Sequence, residues 1–422
     1  MVHNFDQMNI PLEASRGLLE LRCAVQHYEW GGFEYIQHLI QCEGDQRPYA
    51  ELWIGAHPNL PSDVVIGSES VPLNALIEEL PVFLLGGETT RRFNGNLPFL
   101  FKVLSARYPL SIQSHPNAQQ AHDGFLLENA EGIALDARNR NYKDDSHKPE
   151  LISALTDFYA LCGFKPLNQI SSLLHSIPEF GSFAANFVPI RKSLVALYTK
   201  FMELPQTEVD RFLSPFVERL KKQQSERNFG KDSMEYWVLK ADEVFSLGSH
   251  KDRGLFSVCL LNLIHLHPGD ALYLPAGELH AYLEGSGIEI MANSNNVLRG
   301  GLTQKHVDVG ELLKALTFNS GYPEILKLET GDGNYFQRYQ TPAEEFELGR
   351  IHLQKDQNHI CHFEHGVHIM IVIEGRVSVL MEKGINNEFS SGQVFLVPAN
   401  FHYELVSNTE TIIYLAQVPN HE

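Results

Sequence analysis

Four residues in this chain carry donor atoms that together could hold a divalent metal: Gln113, His115, Glu150 and His280. Gln113 and His115 flank Ser114 in Leu110-Ser-Ile-Gln-Ser-His115, whose alternation reads as a strand. Alternate strand residues point to one face, so both side chains can reach a single ion. Glu150 follows Pro149, whose ring fixes the backbone just before the carboxylate. His280 closes the turn that begins at Gly269 and passes through Pro275 and Gly277. Taken singly, these residues read as a polar strand edge, a solvated glutamate and a turn histidine bonded to backbone. The chain holds 20 histidines, so arrangement has to decide. Together the four make an N/O set with one carboxylate, which suits zinc and leaves other divalent ions open. One anionic ligand leaves the metal about one unit of positive charge, enough to act as an electrophile.

Basic residues stand near these ligands in sequence. Lys102 precedes Gln113, Lys148 lies two before Glu150, and Arg299 and Lys305 follow His280. The formal net charge is −19, so a positive field for an anionic ligand has to be built locally. Arg299 sits beside Gly300 and Gly301, where backbone can approach a ligand closely. Its guanidinium can hold an oxyanion through two parallel hydrogen bonds. The same acidic balance gives no footprint for nucleic acid and would repel an acidic membrane surface.

Three textures surround these residues. Residues 20–164 mix β-rich runs with turns, and Phe99-Leu-Phe-Lys-Val-Leu-Ser reads as a buried strand. Residues 165–250 read as helical. Ile190, Leu194, Leu197, Phe201 and Leu204 recur at helical steps, Pro205 interrupts, Thr207 can cap, and Val209, Phe212, Leu213, Phe216 and Leu220 resume the pattern. From about 254 the chain is β-rich again, with Leu255 to Leu266 strongly apolar and a helix expected at 305–318. An internal echo links Gly269-Asp-Ala-Leu-Tyr-Leu-Pro275-Ala-Gly277-Glu-Leu-His280 to Gly392-Gln-Val-Phe-Leu-Val-Pro398-Ala-Asn400-Phe-His402. The first copy has the spacing of the second cupin motif, and two copies suggest two similar barrels. The expected fold is mainly β with an α-helical insertion: two cupin-like (jelly-roll) antiparallel β-barrels plus a helical domain. The expected division is 1–164 and 251–320 for the catalytic barrel, 165–250 for the helical domain and 321–422 for a carboxyl-terminal barrel. That last barrel is expected to be metal-free. His402 comes one residue early there, and His362, His365 and His368 read as loop and strand-end residues.

The five cysteines are widely spaced and include no C-x-x-C, so a disulfide framework is not expected and a reducing compartment fits. The charged amino-terminal stretch does not read as a signal peptide. No apolar run approaches the roughly 18 residues of a membrane span. A cytoplasmic protein is expected.

At the residues quoted above, the sequence resembles type I mannose-6-phosphate isomerase, also called phosphomannose isomerase, of the cupin superfamily. Leu97-Pro-Phe-Leu-Phe-Lys102 through Ser111-Ile-Gln113-Ser-His115-Pro-Asn carries one part of the likeness. Tyr142-x-Asp144-x-x-His147-Lys148-Pro149-Glu150 carries another. The third runs from His280-Ala-Tyr282-Leu-Glu-Gly285 through Glu289-x-Met291-Ala292-x-Ser294-x-Asn296-x-Leu-Arg299-x-Gly301-x-Thr303-x-Lys305. Tyr28-Glu-Trp30-Gly31 and Ala50-Glu51-Leu-Trp53-x-Gly55-x-His57-Pro58 add to it, and the likeness thins beyond residue 320.

The resemblance implies zinc, one ion per chain, on Gln113, His115, Glu150 and His280. It implies a catalytic role for Arg299 and a substrate pocket containing Trp30, Glu51, Lys102, Ser111, Lys148, Tyr282, Glu289 and Lys305. The reaction implied is mannose 6-phosphate to fructose 6-phosphate and back, through an enediol-like state. Glu289 is the candidate base, with Lys148 or a metal-bound water able to serve instead, and Arg299 steadies the developing charge. The partner is a small sugar phosphate, with no nucleic acid and no membrane, and the chain is expected to act as a monomer or weak dimer. Ser146, Asn295, Gly300 and Gln304 stand where the family usually has Asn, Asp, Ala and Pro. These departures keep a non-catalytic sugar-phosphate sensor in play. A metal-dependent cupin oxygenase is the other alternative, although its usual iron site would need no glutamine.

Overall fold

The structure, a computed structural model, describes residues 17–42, 44–330, 335–361, 366–382, 384 and 386–419. It is mainly β-sheet with helices, and its internal contacts divide it into two units. The first takes in the described residues of 1–105, 288–293 and 326–422, and the second those of 106–287 and 294–325.

In the first unit, strand Leu19–Arg22 pairs with Val394–Val397 on one side and Asp63–Ile66 on the other. This pairing differs from the sequence-based division, which kept residue 1 onward apart from the carboxyl-terminal barrel. Leu19 opposite Leu396 and Leu21 opposite Val64 tie the amino-terminal strand into a nine-stranded sheet built largely from the end of the chain. A four-stranded sheet runs Asn358–Cys361, Tyr403–Ser407, Arg376–Met381, Asn386–Ser390. Alternate residues of both sheets meet in one core: Met370 and Val372, Phe395 and Val397, Ile413 and Leu415 from the first, Val377 and Val379, Tyr403 and Leu405 from the second. That period of two is what a strand with one buried face requires. His368 is buried there and bonded to the Tyr403 hydroxyl at 2.7 Å, while His362 and His365 lie outside the described residues. Strand Phe99–Ala106, buried at every position, pairs through Leu100–Leu104 with Glu51–Gly55 in the same unit.

The second unit joins strands to helices around one core. Helices Leu167–Ser176, Arg191–Glu203, Gln206–Glu226 and Met234–Phe245 occupy the stretch read as helical. Leu194, Leu197, Phe201, Val209, Leu213, Phe216 and Leu220 pack together with Leu161, Leu261, Ala281 and Leu283 of the strands. Three local expectations need correction. Helix Gln206–Glu226 begins directly after Pro205, so Thr207 falls inside its first turn and does not cap it. The apolar run from Leu255 is not one strand: Gly254–Leu260 is a fully buried helix and Leu261–Leu266 the strand. Periodicity cannot separate these when every side of an element is buried. The helix expected at 305–318 shortens to Val309–Ala315, started by Asp308, whose carboxylate accepts from Glu311 N at 2.9 Å.

All five cysteines are free thiols. Among the described residues, no helix is long and apolar enough to cross a membrane.

Candidate active site

Three strands bring the predicted ligands, all of them residues of the second unit, together. Gln113, on Ile112–Ser114, stands opposite His280 of strand His280–Ala292 on one side and opposite Arg299 of strand Leu298–Gly301 on the other. Directly opposed residues share a face of the sheet. Glu150 opens strand Glu150–Ala154 and is paired with Leu274, at the end of the strand that leads into the turn before His280. Gly277 N, within that turn, donates to the carbonyl of His115 at 2.8 Å, so the turn carrying one imidazole is tied to the other.

The ligand groups converge in a dry setting. His115, Glu150 and His280 are 0%, 1% and 1% exposed. His115 Nε2 lies 3.2 Å from Glu150 Oε1, and His280 Nε2 lies 3.4 Å from Glu150 Oε2. Neither imidazole Nε2, nor Glu150 Oε2, has a hydrogen-bond partner. The opposite ring nitrogens are both committed: His115 Nδ1 donates to the Asn296 carbonyl at 2.8 Å, and His280 Nδ1 donates to the Glu278 carbonyl at 3.0 Å. In each ring Nδ1 carries a proton, and Nε2 is the atom that faces the carboxylate. Burial, the larger influence, pushes the His115 imidazolium down to about 4, keeping the ring neutral. Burial drives the Glu150 carboxyl up, but the Lys148 ammonium, 2.8 Å from Oε1, opposes it, and the carboxyl is held well below the usual range. Unpaired buried polar atoms are costly and rare, and a neutral His115 ring beside an ionised Glu150 carboxylate suits a metal. The donor set fits a divalent ion.

Asn296 holds this arrangement in place. Its side-chain oxygen accepts from Lys143 N at 2.7 Å and Asp144 N at 3.3 Å, and its amide donates to the carbonyls of Asp144 and Ser146. The Asp144 carboxylate in turn accepts from Ser294 Oγ at 2.6 Å and Asn295 N at 2.7 Å. One fully buried amide thus fixes the loop leading to Lys148 and Glu150, while its own carbonyl orients His115. Sequence reasoning gave Asn296 and Asp144 no role, although both lie in the quoted motifs. Among the described residues, two family departures are engaged here through backbone: Ser146 by its carbonyl and N–H, and Asn295 by its N–H. Their side chains can vary without breaking the clamp.

Three cations gather in the same unit. Burial lowers the pKa of Arg299. Partial burial, then Arg299 and Lys143, lower that of Lys305. No described carboxylate pairs with Arg299 or Lys305. In a chain of net charge −19, such unneutralised neighbours make a local field for an anion. Tyr282 is buried beside Phe158, ring centroids 5.4 Å apart, and its carbonyl accepts from Leu110 N, next to Ser111.

The first unit holds the remaining predicted residues. Lys102 Nζ donates to Glu289 Oε2 at 2.8 Å and to Glu51 Oε1 at 3.4 Å, and all three are buried. Trp53 Nε1 donates to Glu51 Oε2 at 2.7 Å, with the Lys102 ammonium 5.3 Å from a Trp53 ring centroid. The sequence motif around Trp53 assigns it no role. Trp30 stacks on Tyr28 at 5.6 Å.

Residues 18–167 match the family described as phosphomannose isomerase type I, catalytic domain. The chain is 35% identical to mannose-6-phosphate isomerase 1 of Arabidopsis thaliana, over 96% of this chain and 94% of the relative. It is 41% identical to the Escherichia coli mannose-6-phosphate isomerase, over 70% and 74%. The crystal structure of the Salmonella typhimurium enzyme bound to fructose 6-phosphate and zinc superposes with a TM-score of 0.84 at 33% identity. It covers 96% of this chain and all of that one.

Proposed function

The chain is an enzyme that belongs to the type I phosphomannose isomerase family, and we propose that it interconverts mannose 6-phosphate and fructose 6-phosphate by moving a proton between C1 and C2. The observation that carries this reading is the buried trio His115, Glu150 and His280, whose inward-facing donor atoms make no hydrogen bond. With Gln113 opposite His280, they would hold a single zinc per chain. When bound, zinc supplies Lewis acidity to the sugar's oxygens.

The chain's own residues supply the rest. Arg299, which no described carboxylate pairs with, is assigned to the negative charge that develops as C1 or C2 loses its proton. Lys305 is assigned to the phosphate, and Trp30, Ser111 and Tyr282 to the sugar. Glu289 is assigned as the base. Its ion pair with Lys102 keeps it ionised, as a proton acceptor must be. Lys102 and Glu51 are then support for that base as much as substrate contacts. Lys148 is already ion-paired to Glu150, and this favours it as a donor or positioning group over a base. The two facing sheets of the first unit, with their period-two core, support the reading of a jelly-roll of cupin type. The chain is proposed to act as a monomer or weak dimer.

A coupled assay of zinc-loaded protein on mannose 6-phosphate tests the function. Turnover in both directions is expected. A folded, zinc-replete protein that binds the sugar phosphate without converting it would leave the sensor reading standing in its place.

A further inference from the structure

We propose that Asp157, His265 and His267 form a second, surface-exposed site for a divalent metal of borderline softness, such as zinc or nickel. The site lies in the second unit, apart from the buried centre. His265 stands near the end of strand Leu261–Leu266, and His267 lies just beyond it. The register sets His265 opposite Tyr159 and Leu266 opposite Phe158, which brings Asp157, one residue before strand Phe158–Phe164, level with His267. Two residues apart on an extended chain, the histidines point to the same side. His265 Nε2 is 3.0 Å and His267 Nδ1 3.1 Å from the same Asp157 oxygen, and donor atoms of all three residues lie within 4.8 Å of one another.

Two features separate this trio from histidines that happen to be neighbours. His265 Nδ1 is bonded to Asp232 Oδ1 at 3.1 Å. A carboxylate on the far nitrogen of a ligating imidazole fixes its tautomer and strengthens it as a donor, leaving Nε2 for the ion. The His265 ring is also pinned, stacked on Tyr159 with centroids 4.3 Å apart and planes 21° from parallel. The surroundings favour a cation. Hydrogen bonds from His265 and His267 hold the Asp157 carboxyl below its usual range, and Asp232 adds a second negative charge. Lys231, the nearby cation, is spent on Glu284. Two imidazoles and a carboxylate suit zinc, nickel or copper, and the exposed face leaves the remaining positions to water. The bland alternative is three side chains that only bond to one another.

Titration of nickel chloride into zinc-loaded holoprotein, followed by calorimetry and by elemental analysis of retained zinc, tests the proposal. A second metal equivalent is expected without zinc loss. Its affinity should fall about tenfold or more in His267→Ala, and about 10- to 100-fold in Asp232→Asn, with isomerase activity unchanged in both. Because the ion binds only the folded chain, nickel should also raise Tm in the natural protein and fail to do so in His267→Ala. Nickel uptake matched by zinc release, or equal binding by His267→Ala and the natural protein, overturns the site.

Discussion

Arg299 and Lys102 show how differently two cations of one sequence motif family can be used. Among the described residues Arg299 has no carboxylate partner, so its charge is available to a ligand, whereas Lys102 is held by Glu289 and Glu51. If Arg299 meets charge that exists only in the transition state, Arg299→Ala should lower kcat roughly 100- to 1,000-fold with KM little changed. Lysine should rescue poorly, because a point charge does not reproduce the planar fork. A raised KM at near-normal kcat in steady-state kinetics would make Arg299 a phosphate contact instead. Removing Lys102 leaves two buried carboxylates facing each other without a cation. Breaking such an arrangement from one side costs about 3–5 kcal/mol. Lys102→Ala should therefore lose stability of that order in urea melts, a cost that a solvated surface lysine would not show.

At the scale of elements, the turn before His280 is the most constrained piece. Gly277 has φ +78°, and a Cβ there would lie 2.7 Å from Thr317 Cγ2 and 2.8 Å from the Ala315 carbonyl. Its N–H also donates to His115. Gly277→Ala is expected to cost about 1–3 kcal/mol from backbone strain and to loosen the zinc. Elemental analysis after gel filtration checks the second effect, and full retention would show that the turn does not set the centre's geometry. The G-x5-P-x-G-x2-H spacing made this turn legible in the sequence, because only glycine and proline adopt such backbone cheaply. The helix Gly254–Leu260 left no equivalent trace, since burial on all sides erases the periodicity that would mark it.

The whole molecule carries two further expectations. A strong chelator should abolish activity and lower Tm, and zinc should restore both, because the ion binds the folded state alone. Activity that survives chelation with zinc demonstrably gone would remove the metal from the reaction. The second expectation concerns acid. Burial, only partly opposed by Gln417, pushes the His368 imidazolium from 6.5 down to about 3. Between those values the unfolded chain binds a proton that the folded chain refuses. Stability is then complete above the upper value and falls as pH drops through the window, by about 1.4 kcal/mol per pH unit at most for this group. In His368→Gln the urea midpoint should fall less steeply over that range. Parallel curves would mean that His368 is not the titrating group.

The sequence by itself determined which residue types offer metal-donor atoms, the order of β and helical stretches, and the local cations in an acidic chain. These depend on residue type and on spacing within a few turns or strand residues, which short-range sterics and periodicity write directly into the chain. Only the tertiary structure decided which nitrogen of His115 and His280 faces Glu150, since the Asn296 and Glu278 carbonyls select it. It also decided that Lys102 belongs to Glu51 and Glu289, 51 and 187 residues away, and that Asp157 meets His265 and His267. Those outcomes rest on strand register and burial between distant segments. A shift of one residue would turn each side chain to the opposite face, and nothing in the local pattern of either segment fixes that choice alone.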